Sequence, residues 1–336
     1  MRAHTDDLQE RISSLLPALP TADVGTLSEL DDQAWIRILL APAMSNMLRK
    51  GGAHAAPHLM SAAMAERLLE RSDTPDARHF PNGGRSVQTA LGDHLWQSSP
   101  APAGGYRHSR APSVRGIVID GSKSSSARGL ARLDDPFEGV TDHDSHELQW
   151  FVDAITRSLD TIASANGEAL LLITKGVRVI SLRREAQGNT SSSSWPLFPG
   201  YLRLWNAAGA DPLWLVDTIL HEAIHSLLYM VEAGEKWFTD PDPRRSGKVS
   251  PWSGRNLPLH SFVHACFVWF GLMSFWSAVD VPGAAAMWRR AAAGFRDDHL
   301  RDTVSSLGGV EENVRRALID VVDRAQRAAM APARTE

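Results

Sequence analysis

The sequence predicts a mainly helical α+β protein in which a small antiparallel sheet packs on an HExxH helix. Three observations predict it. Apolar residues recur at helical spacing over long stretches on both sides of the middle of the chain, the middle itself changes to a period of two, and a His-Glu-x-x-His segment follows that change. The 336 residues are 43% hydrophobic and 22% charged, the balance of a globular protein with a sizeable core. Three regions are expected: a helical N-terminal region over 1–97, a loop-rich connector over 98–143 and a catalytic region over 144–336, an order that also suits one continuous domain.

Helices are expected first over 7–16 and 27–48. In the second, Leu30, Trp35, Ile36, Ile38, Leu39, Leu40 and Met44 recur at roughly helical spacing, with Ser28, Glu29 and Asp31 near the start. Residues 53–71 continue in that style with Leu59, Met60, Met64, Leu68 and Leu69. The stretch 97–114 is too rich in Pro, Gly and Ser for a regular element and reads as a domain boundary or an exposed loop, and 121–143 reads as a second loose segment. A helix over 145–165 carries the stripe Leu148, Phe151, Val152, Ile155, Leu159 and Ile162. Then Ala169–Thr174 and Val177–Leu182 read as a hairpin around Lys175 and Gly176, with Gly200–Trp205 as a third strand. Helices are expected over 258–279, 283–297 and 309–330, the last charged enough to form a surface or a homodimer face.

Composition narrows the class of function. Lys and Arg number 35 against 39 Asp and Glu, a net charge of −4 with no long basic run, so nucleic acid is not an expected partner. Cys266 is the single cysteine, which excludes an internal disulfide framework and Cys-rich metal sites and fits a reducing compartment. The first ten residues contain acids and no apolar run, and the longest apolar runs are broken by His, Ser or Gly short of a membrane span. A cytoplasmic protein with no membrane partner is expected.

The chemistry centres on Trp214–Tyr229. Asp211 and Pro212 supply an N-cap and a first helical residue, so His221 and His225 fall on a helix, four residues apart on one face, where two imidazoles can grip one metal ion. Glu222 sits beside them as a candidate catalytic residue. The structural alternative is a pair of core histidines satisfied by carbonyls. A third ligand is sought downstream, where His260 and His264 again stand four apart in a helix so apolar that a buried imidazole needs a partner. His264, between Val263 and Ala265, is the expected ligand, and His260, at the helix entrance, is expected to face substrate. Cys266 is read as core filler. Asp217, one turn before His221, is expected to orient an imidazole. Glu232 is disfavoured as a ligand, since seven residues past His225 is about 10 Å along a helix axis.

Three blocks in this order, Ser191–Leu204, Leu220–His225 and Ser250–His264, resemble the HEXXH-motif family of iron(II)- and 2-oxoglutarate-dependent peptide β-hydroxylases that tailor ribosomally made peptide natural products. The resemblance spans about 170–275. It departs from the family at Ser253 and Leu257, where the family usually carries arginines, and Arg255 is displaced from that pattern. The resemblance implies Fe(II) and 2-oxoglutarate as metal and cosubstrate, His221, His225 and His264 as ligands, and a precursor peptide as the substrate oxidised at a side-chain β-carbon. The cosubstrate's remote carboxylate then wants a cation and a hydroxyl, for which the candidates are Arg203, Arg178, Lys175, Arg255 and the serines 191–194, Ser193 among them, with Arg203 leading because strand alternation puts it on one face with Tyr201 and Trp205. Two other classes stay open. A zinc metallopeptidase would use Glu222 as the base for a Zn(II)-bound water. A non-enzymatic peptide- or protein-binding protein would keep its histidines as structural groups.

Overall fold

The computed structural model of the protein describes residues 86–88, 94–100, 106–110, 112–121, 145–184, 188–194, 196, 199–243 and 247–330. The helices expected over 7–16, 27–48 and 53–71, and the loose segment beyond Gly121 up to residue 143, lie outside them. The chain divides into two compact units, one drawn from Met1–Thr156 and Val177–Ala210, the other from Arg157–Gly176 and Asp211–Glu336.

Among the described residues, the first unit holds two sheets. Strands β1 (Ser86–Gln88), β2 (His94–Pro100) and β3 (Tyr106–Arg110) form an antiparallel sheet in that order, with a register shift between Gln97 and Ser99. This corrects the expectation of a loop over 97–114. Ladder hydrogen bonds join backbones whatever the side chains, and Pro100 is tolerated because it ends its strand. Strands β4 (Ser113–Val114) and β5 (Ile117–Asp120) follow as a tight antiparallel hairpin. Arg115 and Gly116 both take positive φ, 51° and 82°, the turn whose twist suits a two-residue hairpin.

The second sheet of this unit continues with β6 (Val179–Arg183), β7 (Ser191–Ser194) and β8 (Tyr201–Trp205) in the order β4-β5-β6-β8-β7. Its centre is parallel, β6 lying between β5 and β8, while β4 and β7 are antiparallel edges. The sheet is therefore mixed and not antiparallel as expected. Every residue of β6 is buried, the mark of a strand covered on both faces, and Ser181 and Arg183 are buried with it.

The helix α1 (Ser145–Ala165) buries Phe151, Ile155, Leu159 and Ile162 as its stripe predicts. It is followed by α2 (Gly167–Gly176), where a strand was expected. Asn166 caps it, its side chain accepting from the backbone N–H of Glu168 at 2.9 Å and Ala169 at 3.1 Å. With Ala and Leu among the strongest helix formers, a cap followed by Glu168 outweighs the apolar run, and β6 pairs with β5 and β8 instead of closing a hairpin.

The second unit continues with α3 (Pro212–Gly234), the short antiparallel pair β9 (Gly247–Val249) and β10 (Asn256–Pro258), then α4 (Leu259–Ala278), α5 (Ala284–Ala292), α6 (Leu300–Ser305) and α7 (Glu312–Met330). A 3-10 turn over Ala293–Arg296 extends α5. Helix α4 packs against α3, α5 and α7, and α2 packs against α3. Contrary to the sequence expectation, the 20 residues of α4 are long and apolar enough to cross a membrane, but half of that window is buried inside the protein. Gly271 lets α3 and α4 approach closely, since a Cβ there would come within 2.6 Å of Ile224 Cδ1. The described residues make a mainly helical α+β protein.

Candidate metal centre

The start of α3 is the one its sequence specifies. Asp211 accepts from the backbone N–H groups of Leu213 at 2.8 Å and Trp214 at 3.1 Å, and Pro212 takes a position whose missing N–H costs nothing. From that fixed start the helix buries Leu215, Ile219, Leu220, Ala223 and Leu228. His225, Tyr229 and Glu232 then follow at i, i+4 and i+7 on one face. Helix α4 begins beside the end of α3 and brings His260 and His264 from successive turns.

There the side chains converge. One oxygen of Glu232 lies 3.0 Å from His260 Nε2 and the other 2.9 Å from His264 Nε2. The second nitrogen of His264, Nδ1, lies 3.1 Å from Nδ1 of His225. The rings of His260 and His264 stack with centroids 4.4 Å apart, and Tyr229 lies against all three imidazoles, 4.9 Å from the His264 centroid. Phe238 packs on His260 and Trp237 on His264. The cluster is closed on one side and open on the other, with 1% of the His264 side chain exposed against 16% for His260 and 17% for Glu232.

The electrostatics follow from this enclosure. Burial pushes the Glu232 carboxyl up, but the hydrogen bonds from His260 and His264 outweigh it and hold the group at about 2, so it is an ion at neutral pH. His264 is held below its usual value, burial being the larger effect and the Glu232 bond opposing it. His225 lies well below, through burial first and then the neighbouring histidines. Both are therefore neutral imidazoles able to present a lone pair.

Glu232, His260 and His264 form a group able to hold a metal ion, with one ligand atom of each within 4.8 Å of the others. A metal with ligands at about 2.1 Å in octahedral geometry spaces neighbouring donors about 3.0 Å apart. The two carboxylate-to-imidazole distances, each ending on a different oxygen of Glu232, are close to that spacing.

This is not the trio expected from sequence. His264 belongs to the converging group, whereas His225 reaches it only through the back of the His264 ring, and His221 stands outside it, 4.9 Å from His225 by ring centroids and edge-on to Trp269 at 6.1 Å. His260, expected to face substrate, is bonded to Glu232. Glu232 was discounted for its distance from His225 along α3. His264 spans that gap, one nitrogen toward each. The signal that could have found it is the polar face His225, Tyr229, Glu232 opposite a second His pair. Among the described residues Asp217 orients no imidazole: it accepts from Trp276 Nε1 at 2.7 Å and pairs with Arg290. Both partners come from the later helices of this unit.

The remaining expected residues lie as follows. Glu222 is buried, 4% exposed. Cys266 is core filler as expected, its thiol pushed up to about 12 by burial. In the sheet unit Arg203 donates its Nε–H to Ser193 Oγ at 3.1 Å across the β7–β8 pair. In the helical unit Arg255 is exposed in the turn between β9 and β10, its carbonyl accepting from the Ser250 N–H at 2.8 Å. Comparison with protein-family models and with characterised proteins returns no match.

Proposed function

We propose that this protein is a non-haem iron(II), 2-oxoglutarate-dependent oxygenase that hydroxylates a side-chain β-carbon in a ribosomally made precursor peptide. The observation that carries the reading is the donor set of two imidazoles and one carboxylate at Glu232, His260 and His264. Such a donor set suits iron(II) and would leave positions open for a chelating cosubstrate and oxygen. The sequence blocks that resemble the peptide hydroxylases support the choice of substrate class. Bound iron with 2-oxoglutarate and oxygen supplies the oxidising power to break an unactivated C–H bond.

The chain's own residues do the rest. Glu232 provides the negative charge that offsets a divalent cation, and its two oxygens face the two imidazoles, so one carboxylate sets the spacing of both. Tyr229, Trp237 and Phe238 pack against the rings and fix their planes. The closed His264 side excludes water, while the exposed edge at His260 and Glu232 gives ligand and substrate their approach. Arg203, Ser193 and Arg255 carry no part of this reading.

The test is succinate formation from 2-oxoglutarate by anaerobically iron-loaded protein given oxygen, with candidate precursor peptides followed by mass for a gain of one oxygen. Turnover that needs iron and is lost in Glu232→Ala and His264→Ala supports the oxygenase. A protein that holds zinc tightly, makes no succinate with any peptide and cleaves peptides in a Glu222-dependent way would be a metallopeptidase instead.

A further inference from the structure

The His264 ring is engaged at both nitrogens, which makes it a wire between Glu232 and His225. An ionised carboxylate only accepts, so in the metal-free protein the proton of the neutral His264 ring sits on Nε2, facing Glu232. Its Nδ1 is then a bare acceptor, and the 3.1 Å contact is a hydrogen bond only if His225 donates from its own Nδ1. His225 Nε2 is left without a proton. A metal ion taken up by Glu232, His260 and His264 reverses each step. The His264 Nε2 lone pair goes to the metal, and a neutral ring must then carry its proton on Nδ1.

Resting on the metal-site reading above, we propose that metal binding switches His225 from its Nδ1–H to its Nε2–H tautomer, so that this histidine of the HExxH motif positions the ligand His264 instead of binding the metal. The protons balance. The proton on His225 Nδ1 passes along the short contact to His264 Nδ1, and the one displaced from His264 Nε2 is made up, through solvent, at His225 Nε2. The pair stays neutral and releases no net proton. His225 is half-buried. The role explains why an imidazole stands at 225: a group that accepts from a ligand's N–H when the site is filled and donates when it is empty needs both a proton and a lone pair.

The test uses the full chain with 15N-labelled histidine, metal-free, with one equivalent of Zn(II), and with 113Cd(II). The expected spectrum has the His225 proton on Nδ1 without metal and on Nε2 with zinc, while 113Cd couples to ring nitrogens of His260 and His264 only. Coupling to those two with an unchanged His225 tautomer overturns the inference and leaves the site standing. Coupling to His225 itself overturns it by making His225 a ligand. Coupling to neither His260 nor His264 overturns the site reading. In parallel, His225→Gln, whose amide oxygen accepts from His264 Nδ1–H, is expected to hold zinc within about threefold of wild type, while His225→Leu loses about tenfold or more. Equal losses in the two variants would contradict a positioning role.

Discussion

Helices α3 and α4 are tied together at both ends by a carboxylate of α3, and the two ties differ in chemistry. Near the start of α3, Asp217 meets Trp276 near the end of α4, with Arg290 of α5 beside it. At the end of α3, Glu232 meets His260 and His264 at the start of α4. The indole and the guanidinium are obligate donors, so Asp217 can serve only structure. An imidazole is a donor in one tautomer and a lone pair in the other, so the same arrangement at Glu232 can exchange hydrogen bonds for a metal. The difference between a girder and a site is here the partner's ability to give up a proton.

The largest effect expected from breaking the comparison is at Glu232. Removing the carboxylate in Glu232→Ala should lower Co(II) or Fe(II) affinity by about two orders of magnitude or more, read by equilibrium titration and by metal content after gel filtration. Asp217→Ala should instead leave one metal per chain and cost about 2–3 kcal/mol of unfolding free energy in urea. The buried Trp276 N–H loses its acceptor, and Arg290, half exposed, recovers water. If Asp217→Ala abolished metal binding at unchanged stability, the division between the two ends would fail.

The metal-free protein should also show the difference in its pH dependence. His225 and His264 are held below the usual 6.5, so the unfolded chain binds their protons more readily. Their contribution to stability is whole above pH 6.5 and falls on acidification below it. Glu232 acts in the same direction over a lower window, its contribution present above 4.5 and lost as pH falls toward 2. Urea midpoints measured from pH 8 to 4 should therefore decline, and His225→Gln should flatten the part just below pH 6.5. A flat wild-type profile would mean that these imidazoles are not buried neutral.

The smallest effect sharpens the comparison by pressing between its two ends. Gly271→Ala places a methyl against Ile224, and overpacking should outweigh the helical preference for Ala by about 1 kcal/mol, visible as a lowered Tm. Because Ile224 Cδ1 is the far end of a flexible chain, adding Ile224→Val should restore most of the loss. Metal affinity should move less than in any variant above, since Glu232, His260 and His264 lie about two to three turns away along their helices.

Much of the frame is legible in the sequence. The α3 start was written in Asp211-Pro212, the stripe of α1 in its apolar spacing, and α4 and the strands β6 and β8 in their apolar runs, because caps, helical periods and strand propensity are local properties. Two local signals were outweighed by composition: Asn166 before Glu168 marked α2 as a helix, and the Pro- and Ser-rich stretch concealed paired strands.

The His-Glu-x-x-His segment itself determined that imidazoles would line one face of α3, and His260-x-x-x-His264 did the same for α4. What only tertiary structure decided was which of these faces meet and at what height. Antiparallel packing of α3 on α4, close enough to need Gly271, sets His260 and His264 against Glu232 and leaves His225 behind His264. Spacing within one helix cannot carry that information, because the crossing point and register of two helices depend on the whole set of side chains packed between them.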